Sequence, residues 1–442
     1  MRIDVVGAGP AGLYFALLMK KVDRANDVTV WERNARDATF GWGVVFSEET
    51  LGALADADPE SYHEITETFA SWGSIDVYFG GQTIRSRGHR FSGISRKALL
   101  GILQRRCATL GVELRFHEEI EDLARFEGSD LLVGANGVNS VVRRTWEDAF
   151  RPRLAVHHSK YVWFGTPMAF DAFTFIFRET EHGMFQVHAY PFDASTSTFI
   201  VETSEATWRR AGLDGMSEEE SIAFCEKLFE PELRGRPLLS NRSLWVSFGT
   251  LTCETWHHGN VVLLGDAAHT AHFTIGSGTK LAMEDSVSLA SAFLRGRDVP
   301  AALVEYEMER QPVVERFQEA ANVSASYFEN VSRYRSFEPV QFAFNLLTRS
   351  GRITHLELER RDPALVARVD RWFDGTDAAV PSPPVLAPFE LRGLRLANRV
   401  AGRDGAEGVG LALSGFVAVS PEGRITPETP TVKEVRPFDV PT

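Results

Sequence analysis

Cysteine is scarce in this chain of 442 residues, and long apolar runs and an excess of basic residues are missing. The three cysteines, Cys107, Cys225 and Cys253, lie far apart. No CxxC pair is therefore available for a metal or a redox disulfide, and a reducing cytoplasm is expected. No apolar run approaches the roughly 18 residues of a transmembrane helix. The net charge of −13 argues against non-specific binding to nucleic acid or to an anionic membrane.

The composition is that of an ordinary globular protein, with 44% hydrophobic and 24% charged residues, and the length allows two or three domains. A strand pattern, Ile3 to Val6, begins almost at once, so no signal peptide is expected. No internal repeat is visible, and a monomer or a homodimer is expected.

A glycine-rich turn follows the first predicted strand and opens an apolar helix that runs to about Lys21. Its residues are Gly7, Ala8, Gly9, Pro10, Ala11 and Gly12. Small residues permit a tight turn and let the helix N-terminus approach a pyrophosphate. A second strand ends at Glu32, where a carboxylate can accept hydrogen bonds from ribose hydroxyls. The pattern predicts dinucleotide binding, without deciding between FAD and NAD; the alternative is a glycine-rich turn with no ligand.

A second motif runs from Gly259 to His269 and delivers Asp266 at the end of a predicted strand. Such a carboxylate can accept a hydrogen bond from a ribityl hydroxyl of FAD, or it can merely cap a helix. Gly276, Ser277 and Gly278 then open another helix, whose N–H groups can face the pyrimidine edge of a flavin. His269 is interpreted as structural.

Between these motifs the texture changes at about residue 155 to aromatic and β-branched runs, which predict antiparallel strands. The predicted fold class is α/β: a discontinuous Rossmann-like domain (1–154 and 251–350) with an inserted mixed or antiparallel β-sheet domain (155–250). A proline-rich linker and a short tail (375–442) follow.

A third motif, Asp130 to Arg143, completes a set that resembles the fingerprints of group A flavoprotein monooxygenases, the para-hydroxybenzoate hydroxylase superfamily, over about residues 1–350. The resemblance implies FAD, NADH or NADPH as reductant, and hydroxyl transfer to an aromatic ring through a flavin C4a-hydroperoxide. A second GxGxxG unit, a redox cysteine pair and the WxWxIP signature of flavin-dependent halogenases are missing. Asn136 and Phe273 depart from the aspartate and the proline that are usual in the family.

The resemblance also implies cofactor contacts from the helix that begins at Arg96 and from the segment Gly41 to Ser47, which would run beside the isoalloxazine. The predicted cofactor-binding residues are Gly7, Gly9, Pro10, Ala11, Gly12, Glu32, Arg33, Val44, Val45, Arg96, Gln104, Asp266, Gly276, Gly278 and Thr279. For Arg96 and Gln104 the alternative is a solvated helix face.

The strings 41–47, 160–166, 188–190 and 197–202 resemble a subgroup that hydroxylates salicylyl-CoA, 2-aminobenzoyl-CoA and tryptophan-derived indoles. Residues 388–400 and 418–427 resemble parts of an old-yellow-enzyme barrel, but the roughly 60 residues available cannot form one of roughly 250. The tail is therefore interpreted as a remnant of a fused ancestor. Conversion of salicylyl-CoA to gentisyl-CoA is the first prediction; 2-aminobenzoyl-CoA, an indole-type substrate and a catalytically idle flavin protein are the alternatives.

Several residues are predicted to meet the substrate. Trp163, Tyr190 and Phe273 are placed around its ring, and Arg85 and Arg87 on the CoA phosphates. The two arginines can instead pair with neighbouring acids. His188 and His272 are candidates to accept a proton from the ring substituent, although a lone histidine is more often structural.

Overall fold

A computed structural model describes residues 1–39, 41–47 and 51–375, together with five short strands between residues 389 and 427. It divides into a unit of residues 1–353 and a unit of residues 354–442. No helix in the described ranges is both long enough and apolar enough to cross a bilayer.

The elements of the first unit follow the chain in this order. The strands β1 to β17 are Arg2–Val6, Asp27–Trp31, Gly43–Ser47, Ala70–Trp72, Ile75–Phe79, Gln82–Ser86, Phe91–Ser95, Glu113–Arg115, Leu131–Gly134, Pro152–Val156, Ser159–Thr166, Phe173–Thr180, Gly183–Pro191, Ser197–Ser204, Gly249–Cys253, His257–His258 and Val261–Leu263. The helices α1 to α12 are Pro10–Val22, Leu51–Ala57, Pro59–Glu67, Arg96–Leu110, Val141–Thr145, Glu147–Phe150, Glu205–Arg210, Glu218–Leu228, Glu230–Leu233, Gly278–Leu294, Val299–Glu329 and Pro339–Thr348.

The first sheet is the nucleotide-binding sheet expected from the βαβ pattern. Its strand order is β16-β17-β9-β1-β2-β8, and every pair except β16–β17 is parallel. Both faces of a parallel sheet are covered by helices, so its strands are apolar throughout; in β1 only Arg2 is exposed. Helix α1 packs on α10 and on α4, which brings the glycine turn and the loop before α10 to the same edge of the sheet.

A second sheet has the strand order β11-β14-β13-β12-β5-β6. Its neighbours are antiparallel except for β12 and β5. Side chains alternate between the two faces of a strand. Val162, Phe164, Val187 and Val201 point to one face and form an apolar core with α7, α8 and α9. Their sequence neighbours point to the opposite face, which is called the site face below.

Strands β5 and β6 come from residues 75–86, a segment that the sequence analysis assigned to the nucleotide-binding domain. The sheet therefore takes strands from both sides of the predicted boundary at residue 154, because β5 pairs with β12 along Ile75–Tyr78. The domain boundaries stay a prediction. Two smaller sheets, β3-β7-β4 and β10-β15, complete the described strands of this unit.

The second unit contains two helices, α13 (His355–Arg361) and α14 (Pro363–Asp374). Thr354 and Glu357 form a capping box at α13, and His355 Nε2 lies 2.8 Å from Asp370 Oδ1. The tail contributes β18 (Phe389–Leu391), β19 (Leu394–Leu396), β20 (Ala401–Arg403), β21 (Val417–Val419) and β22 (Ile425–Pro427). The other tail residues lie outside the described ranges, so its interpretation as a barrel remnant stays a prediction.

Candidate flavin and substrate site

The glycine turn separates two physical roles of glycine. Gly7 has φ +113°, and a Cβ on it would lie 2.5 Å from the Ala135 carbonyl oxygen; a Cβ on Gly12 would lie 2.0 Å from the Gly7 carbonyl oxygen. These two positions are glycine because the chain itself fills the space. At Gly9 a Cβ would meet only the Ala135 oxygen, at 3.9 Å. Gly9 therefore keeps an open approach to the N-terminus of α1, where free N–H groups favour a pyrophosphate.

Glu32 contacts this turn directly. Its Oε2 accepts a hydrogen bond from the Ala8 N–H at 3.0 Å, and its Oε1 accepts from the Asn34 N–H at 2.8 Å. The carboxylate thus fixes the turn and is itself fixed, and its remaining lone pairs are available to ribose hydroxyls. Arg33, the neighbouring prediction, is exposed and lies 3.8 Å from Glu119.

The loop that carries Asp266 is held by a buried network around Asp285. Asp285 Oδ2 accepts from the Gly265 N–H (3.1 Å) and from His269 Nε2 (2.7 Å), and its Oδ1 accepts from Arg310 Nε (2.9 Å). Although burial opposes ionisation, His269 and Arg310 lower the pKa of Asp285. The structural interpretation of His269 is confirmed.

The two glycine turns meet. A Cβ on Gly265 would lie 3.3 Å from Ala11 Cβ, and the Ser286 hydroxyl of α10 donates to the Ala11 carbonyl oxygen at 2.8 Å. Arg143 of the third motif donates to the Ala267 carbonyl oxygen at 2.7 Å. Segments separated by more than 250 residues thereby form one edge.

Asp266 and Arg96 show that this edge borders an enclosed cavity. Asp266 is accessible, yet burial raises its pKa, and the positive charge of Arg96 opposes that rise. Burial likewise lowers the pKa of Arg96, which is half-exposed. Neither side chain makes a hydrogen bond to a described residue. Accessible, desolvated and unpartnered groups of opposite charge fit the ribityl and ring polar atoms of FAD, so the residues present suit this cofactor.

Other predicted cofactor residues surround the same cavity. Gly276, at φ +61°, would place a Cβ 3.9 Å from Val45 Cβ, so β3 with Val44 and Val45 runs beside the loop that opens α10 with Gly278 and Thr279. The Arg96 N–H donates to the Trp42 carbonyl oxygen at 2.8 Å. Gln104 is buried and donates to the Arg36 carbonyl oxygen at 3.0 Å, so its amide holds the backbone after β2.

The site face collects residues that the sequence spaces two apart. Three cross-strand rows run over β11, β14, β13 and β12. Each row keeps its side chains on one face. The rows are Tyr161–Glu202–Gln186–Phe177, Trp163–Ile200–His188–Phe175 and Gly165–Thr198–Tyr190–Phe173. The predicted Trp163, His188 and Tyr190 therefore share this face.

His188 is paired with a residue that sequence reasoning missed. Its Nε2 lies 2.9 Å from Glu202 Oε2, and both side chains are buried. Although burial opposes ionisation, the hydrogen bond and charge of His188 lower the pKa of Glu202. The alternation of β14 was the available signal, because Glu202 has the same parity as Thr198 and Ile200. A buried carboxylate needs a partner, and His188 supplies it.

His272 lies under Phe273 in the loop before α10. Its Nδ1 accepts from the Thr274 N–H (3.4 Å), which leaves its proton on Nε2, and its ring centroid lies 4.4 Å from that of Phe273. Burial lowers its pKa from 6.5 to about 4. At neutral pH this imidazole is uncharged, so it is available as a proton acceptor but is a weak base.

This burial predicts a pH dependence of stability. Between pH 6.5 and about 4 the unfolded chain binds a proton at position 272 that the folded chain does not. The free energy of unfolding therefore falls as the pH falls, by about 1.4 kcal/mol per pH unit and about 3 kcal/mol in all. Denaturant unfolding at several pH values should show a shallower dependence for His272→Asn, which retains a side-chain acceptor. Equal slopes for the two proteins would contradict the assignment.

The ring predictions and their contacts are as follows. The Tyr190 hydroxyl donates to the Gly43 carbonyl oxygen at 3.0 Å, and its ring stacks on Phe173, so Tyr190 ties the site face to β3. The Trp163 ring lies against Gly41, where a Cβ would be 3.4 Å away. Phe273 is half-exposed, with its ring centroid 4.7 Å from that of Tyr161 and 5.5 Å from that of His188.

Arg349 is a second residue that the sequence analysis missed. Its guanidinium donates to the Thr274 carbonyl oxygen (2.9 Å) and to Ser324 Oγ (2.9 Å), and it lies over the Phe328 ring. Burial lowers its pKa to about 10. Arg349 therefore anchors the loop that presents Phe273. No local sequence pattern marked it, since it reaches this loop only in the tertiary fold.

Arg85 pairs with acids, which was the alternative to a CoA contact. It donates to both oxygens of Asp76 (2.7 and 2.6 Å) and to Asp171 (3.0 Å). Arg87 is exposed on the turn after β6. A phosphate would have to displace carboxylates from Arg85, so the CoA interaction stays a prediction that rests mainly on Arg87.

Comparison with known proteins agrees with this geometry. The FAD binding domain family matches residues 1–321. Salicyloyl-CoA 5-hydroxylase of a Streptomyces species is 43% identical over 432 residues, which are 94% of this chain and 83% of that protein. The 3-hydroxy-4-methyl-anthranilyl-(aryl-carrier protein) 5-monooxygenase of Streptosporangium sibiricum is 36% identical over 358 residues, 81% of this chain and 97% of that protein.

The fold recurs in a solved structure. The tetrameric form of 2-methyl-3-hydroxypyridine-5-carboxylic acid oxygenase superposes with a TM-score of 0.63 at 20% identity, covering 81% of this chain and 97% of that one. The predicted α/β fold class and the predicted FAD are thereby confirmed. The chain belongs to the FAD binding domain family and is a group A FAD-dependent aromatic monooxygenase with the para-hydroxybenzoate hydroxylase fold.

Proposed function

We propose that this monooxygenase hydroxylates, in the cytoplasm, an aromatic acid that is carried as its CoA thioester, and that salicylyl-CoA is converted to gentisyl-CoA. The observation that carries the proposal is the meeting of an aromatic sheet face with the Asp266 loop. Tyr161 and Phe273 touch across that junction, with ring centroids 4.7 Å apart. An aryl ring lying on this face would be adjacent to the flavin.

The names of two relatives support the substrate class. Both describe an aromatic acid on a carrier, coenzyme A in one and an aryl-carrier protein in the other, and both describe reaction at position 5. Position 5 is para to position 2, which bears a hydroxyl group in a salicyloyl ring and an amino group in an anthranilyl ring. Electron donation from that substituent activates the para carbon toward an electrophilic hydroxyl group.

Bound FAD, reduced by NADH or NADPH, supplies O₂ activation and the electrophilic hydroxyl group. The chain supplies position and dryness. Phe173, Phe175 and Phe177 line one side of the site face, and Phe273 covers the other side; such a lining excludes water from the reacting groups. Asp266 and Arg96 are proposed to hold the cofactor at this face.

His188 and His272 remain proposed proton acceptors for the ring substituent. His272 is uncharged at neutral pH and adjoins Phe273. His188 already donates to Glu202, so its role is proposed to be orientation of that carboxylate within the site face. Arg87 is proposed to meet the CoA phosphates.

A substrate panel tests the proposal. We expect product from salicylyl-CoA with at least about a tenfold higher kcat/KM than from free salicylate, a difference of about 1.4 kcal/mol in transition-state binding. Salicylyl-pantetheine, which retains the thioester but lacks the nucleotide phosphates, should show a raised KM and a similar kcat. Products are to be identified chromatographically, because reductant can be consumed without hydroxylation.

The same panel distinguishes the alternatives. Faster product formation from 2-aminobenzoyl-CoA or from an indole-type substrate would transfer the proposal to that compound. Reductant consumption with peroxide and no hydroxylated product from any of these compounds would contradict the proposal and favour a catalytically idle flavoprotein.

A further inference from the structure

Tyr161 differs from the other tyrosine on the site face in what its hydroxyl does. The Tyr190 hydroxyl is used by the Gly43 carbonyl oxygen. The Tyr161 hydroxyl makes no hydrogen bond to any residue in the described ranges, and its side chain is half-exposed. Its ring rests against Phe273, at the junction of the sheet and the flavin loop. A free hydroxyl is thus presented to the space in which the proposed substrate would lie.

Charged groups of two elements surround this hydroxyl. Glu202 of β14 is the direct cross-strand neighbour of Tyr161, and Asp266 faces it from the cofactor loop. Burial raises the pKa of Tyr161 to about 12, and the negative charges of Glu202 and Asp266 add to that rise. His188, His272 and Arg349 lie on the far side of Glu202. The phenol therefore stays protonated at physiological pH, so it can donate a hydrogen bond but cannot act as a base.

A donor at this place suits one part of the proposed substrate. The ring carries an electron-rich oxygen at position 2, and a hydrogen bond to that oxygen favours its anionic form. Hydrogen bonds with an ionised acceptor are about twice as strong as neutral ones. A thioester with hydrogen at position 2 offers nothing equivalent, so the contact would also select the substrate.

We propose that Tyr161 is a specificity-determining residue that donates its hydroxyl proton, in a hydrogen bond, to the oxygen at position 2 of the aromatic thioester. The proposal rests on the proposed function, since it takes an ortho-hydroxyaryl thioester as the ligand. No covalent bond is made or broken in this contact. It acts before the redox steps, so it can be measured on oxidised enzyme without turnover.

Binding of two thioesters to the oxidised FAD-containing enzyme tests the proposal. Salicylyl-CoA and benzoyl-CoA differ only in the hydroxyl at position 2. We expect the wild-type enzyme to bind salicylyl-CoA about tenfold more tightly. Tyr161→Phe retains the ring against Phe273 and should remove this difference by weakening salicylyl-CoA alone. Dissociation constants are to be measured by calorimetry or by the absorbance change of the flavin.

A second measurement follows the ligand itself. The absorbance of bound salicylyl-CoA as a function of pH reports ionisation of its phenol. We expect this ionisation to shift upward by about one pH unit in Tyr161→Phe, the equivalent of a tenfold change in anion stabilisation. Tyr327→Phe is the matched control, because it removes a buried, unpartnered hydroxyl on α11 that lies off the site face; it should change neither result.

The outcomes separate the two proposals. If the wild-type enzyme binds neither thioester, the proposed function fails, and the assignment of Tyr161 falls with it. If the wild-type enzyme prefers salicylyl-CoA and Tyr161→Phe retains that preference, or weakens both ligands equally, the assignment of Tyr161 is overturned while the proposed function stands.

Discussion

Gly9→Ala is expected to give a folded protein of nearly unchanged stability that binds FAD at least about tenfold more weakly, whereas Gly12→Ala is expected to lose both stability and FAD. The backbone at Gly9 has φ −76°, which alanine adopts without strain, and its Cβ would meet no protein atom closer than 3.9 Å. The methyl group would instead project toward the pyrophosphate, where close backbone approach is required.

At Gly12 the same methyl group meets backbone. It would lie 2.0 Å from the Gly7 carbonyl oxygen, and relief requires the whole turn to move away from β1. Overpacking of this kind costs about 1–3 kcal/mol or more, and a displaced turn no longer aims the N–H groups of α1 at the cofactor. FAD titration by fluorescence and thermal unfolding of the flavin-free protein measure the two effects separately.

Gly101→Ala is the matched control for these variants. Gly101 lies inside α4, and a Cβ there would meet only the end of the Arg105 side chain, at 3.4 Å. Alanine at this position should raise stability by roughly 0.5–1 kcal/mol, through the lower conformational entropy of the unfolded chain, and leave FAD binding unchanged. Unaltered FAD affinity in Gly9→Ala would show that the open side of the turn does not face the cofactor.

Asp285→Ala is expected to destabilise the protein by about 3–5 kcal/mol and to abolish tight FAD binding. The substitution leaves the buried guanidinium of Arg310 without its Asp285 contact, which is the costly way to break a buried ion pair. It also removes the acceptor for the Gly265 N–H and for His269. The loop that presents Asp266 then loses the contacts that fix it against Ala11.

Urea unfolding of the flavin-free protein and an FAD titration test this expectation. Asp285→Asn should be intermediate, because an amide oxygen can still accept from the Gly265 N–H although the negative charge is lost. Glu309→Ala is the control: its carboxylate pairs with Arg295 at the surface, 3.2 Å away, and an exposed pair contributes about 0–1 kcal/mol. If Asp285→Ala and Glu309→Ala were equally stable, the Asp285 network could not be what fixes the loop.

Particular residues show how far the sequence reasoning reached. Gly7, Gly12, Glu32 and Asp266 were found because their roles depend on local backbone geometry: a strand end, a tight turn and a helix start. Trp163, His188 and Tyr190 could be placed on one strand face by alternation alone. Glu202 was within reach of the same argument. Arg85 was open between a CoA contact and an ion pair, and only the arrangement of β5, β6 and Asp171 gave it two carboxylate partners.

The sequence by itself determined the cofactor and the enzyme class, because a dinucleotide turn, a carboxylate at a strand end and a second glycine turn each carry their chemistry within a few residues. Only the tertiary structure decided which side chains meet over the flavin. Tyr161, Glu202, His272 and Arg349 come from β11, β14, the loop before α10 and the end of α12, and their charges and hydrogen bonds interact only when the sheet packs on that loop. Burial, which sets the pKa values of these groups, is a property of that packing and is not encoded in any short segment.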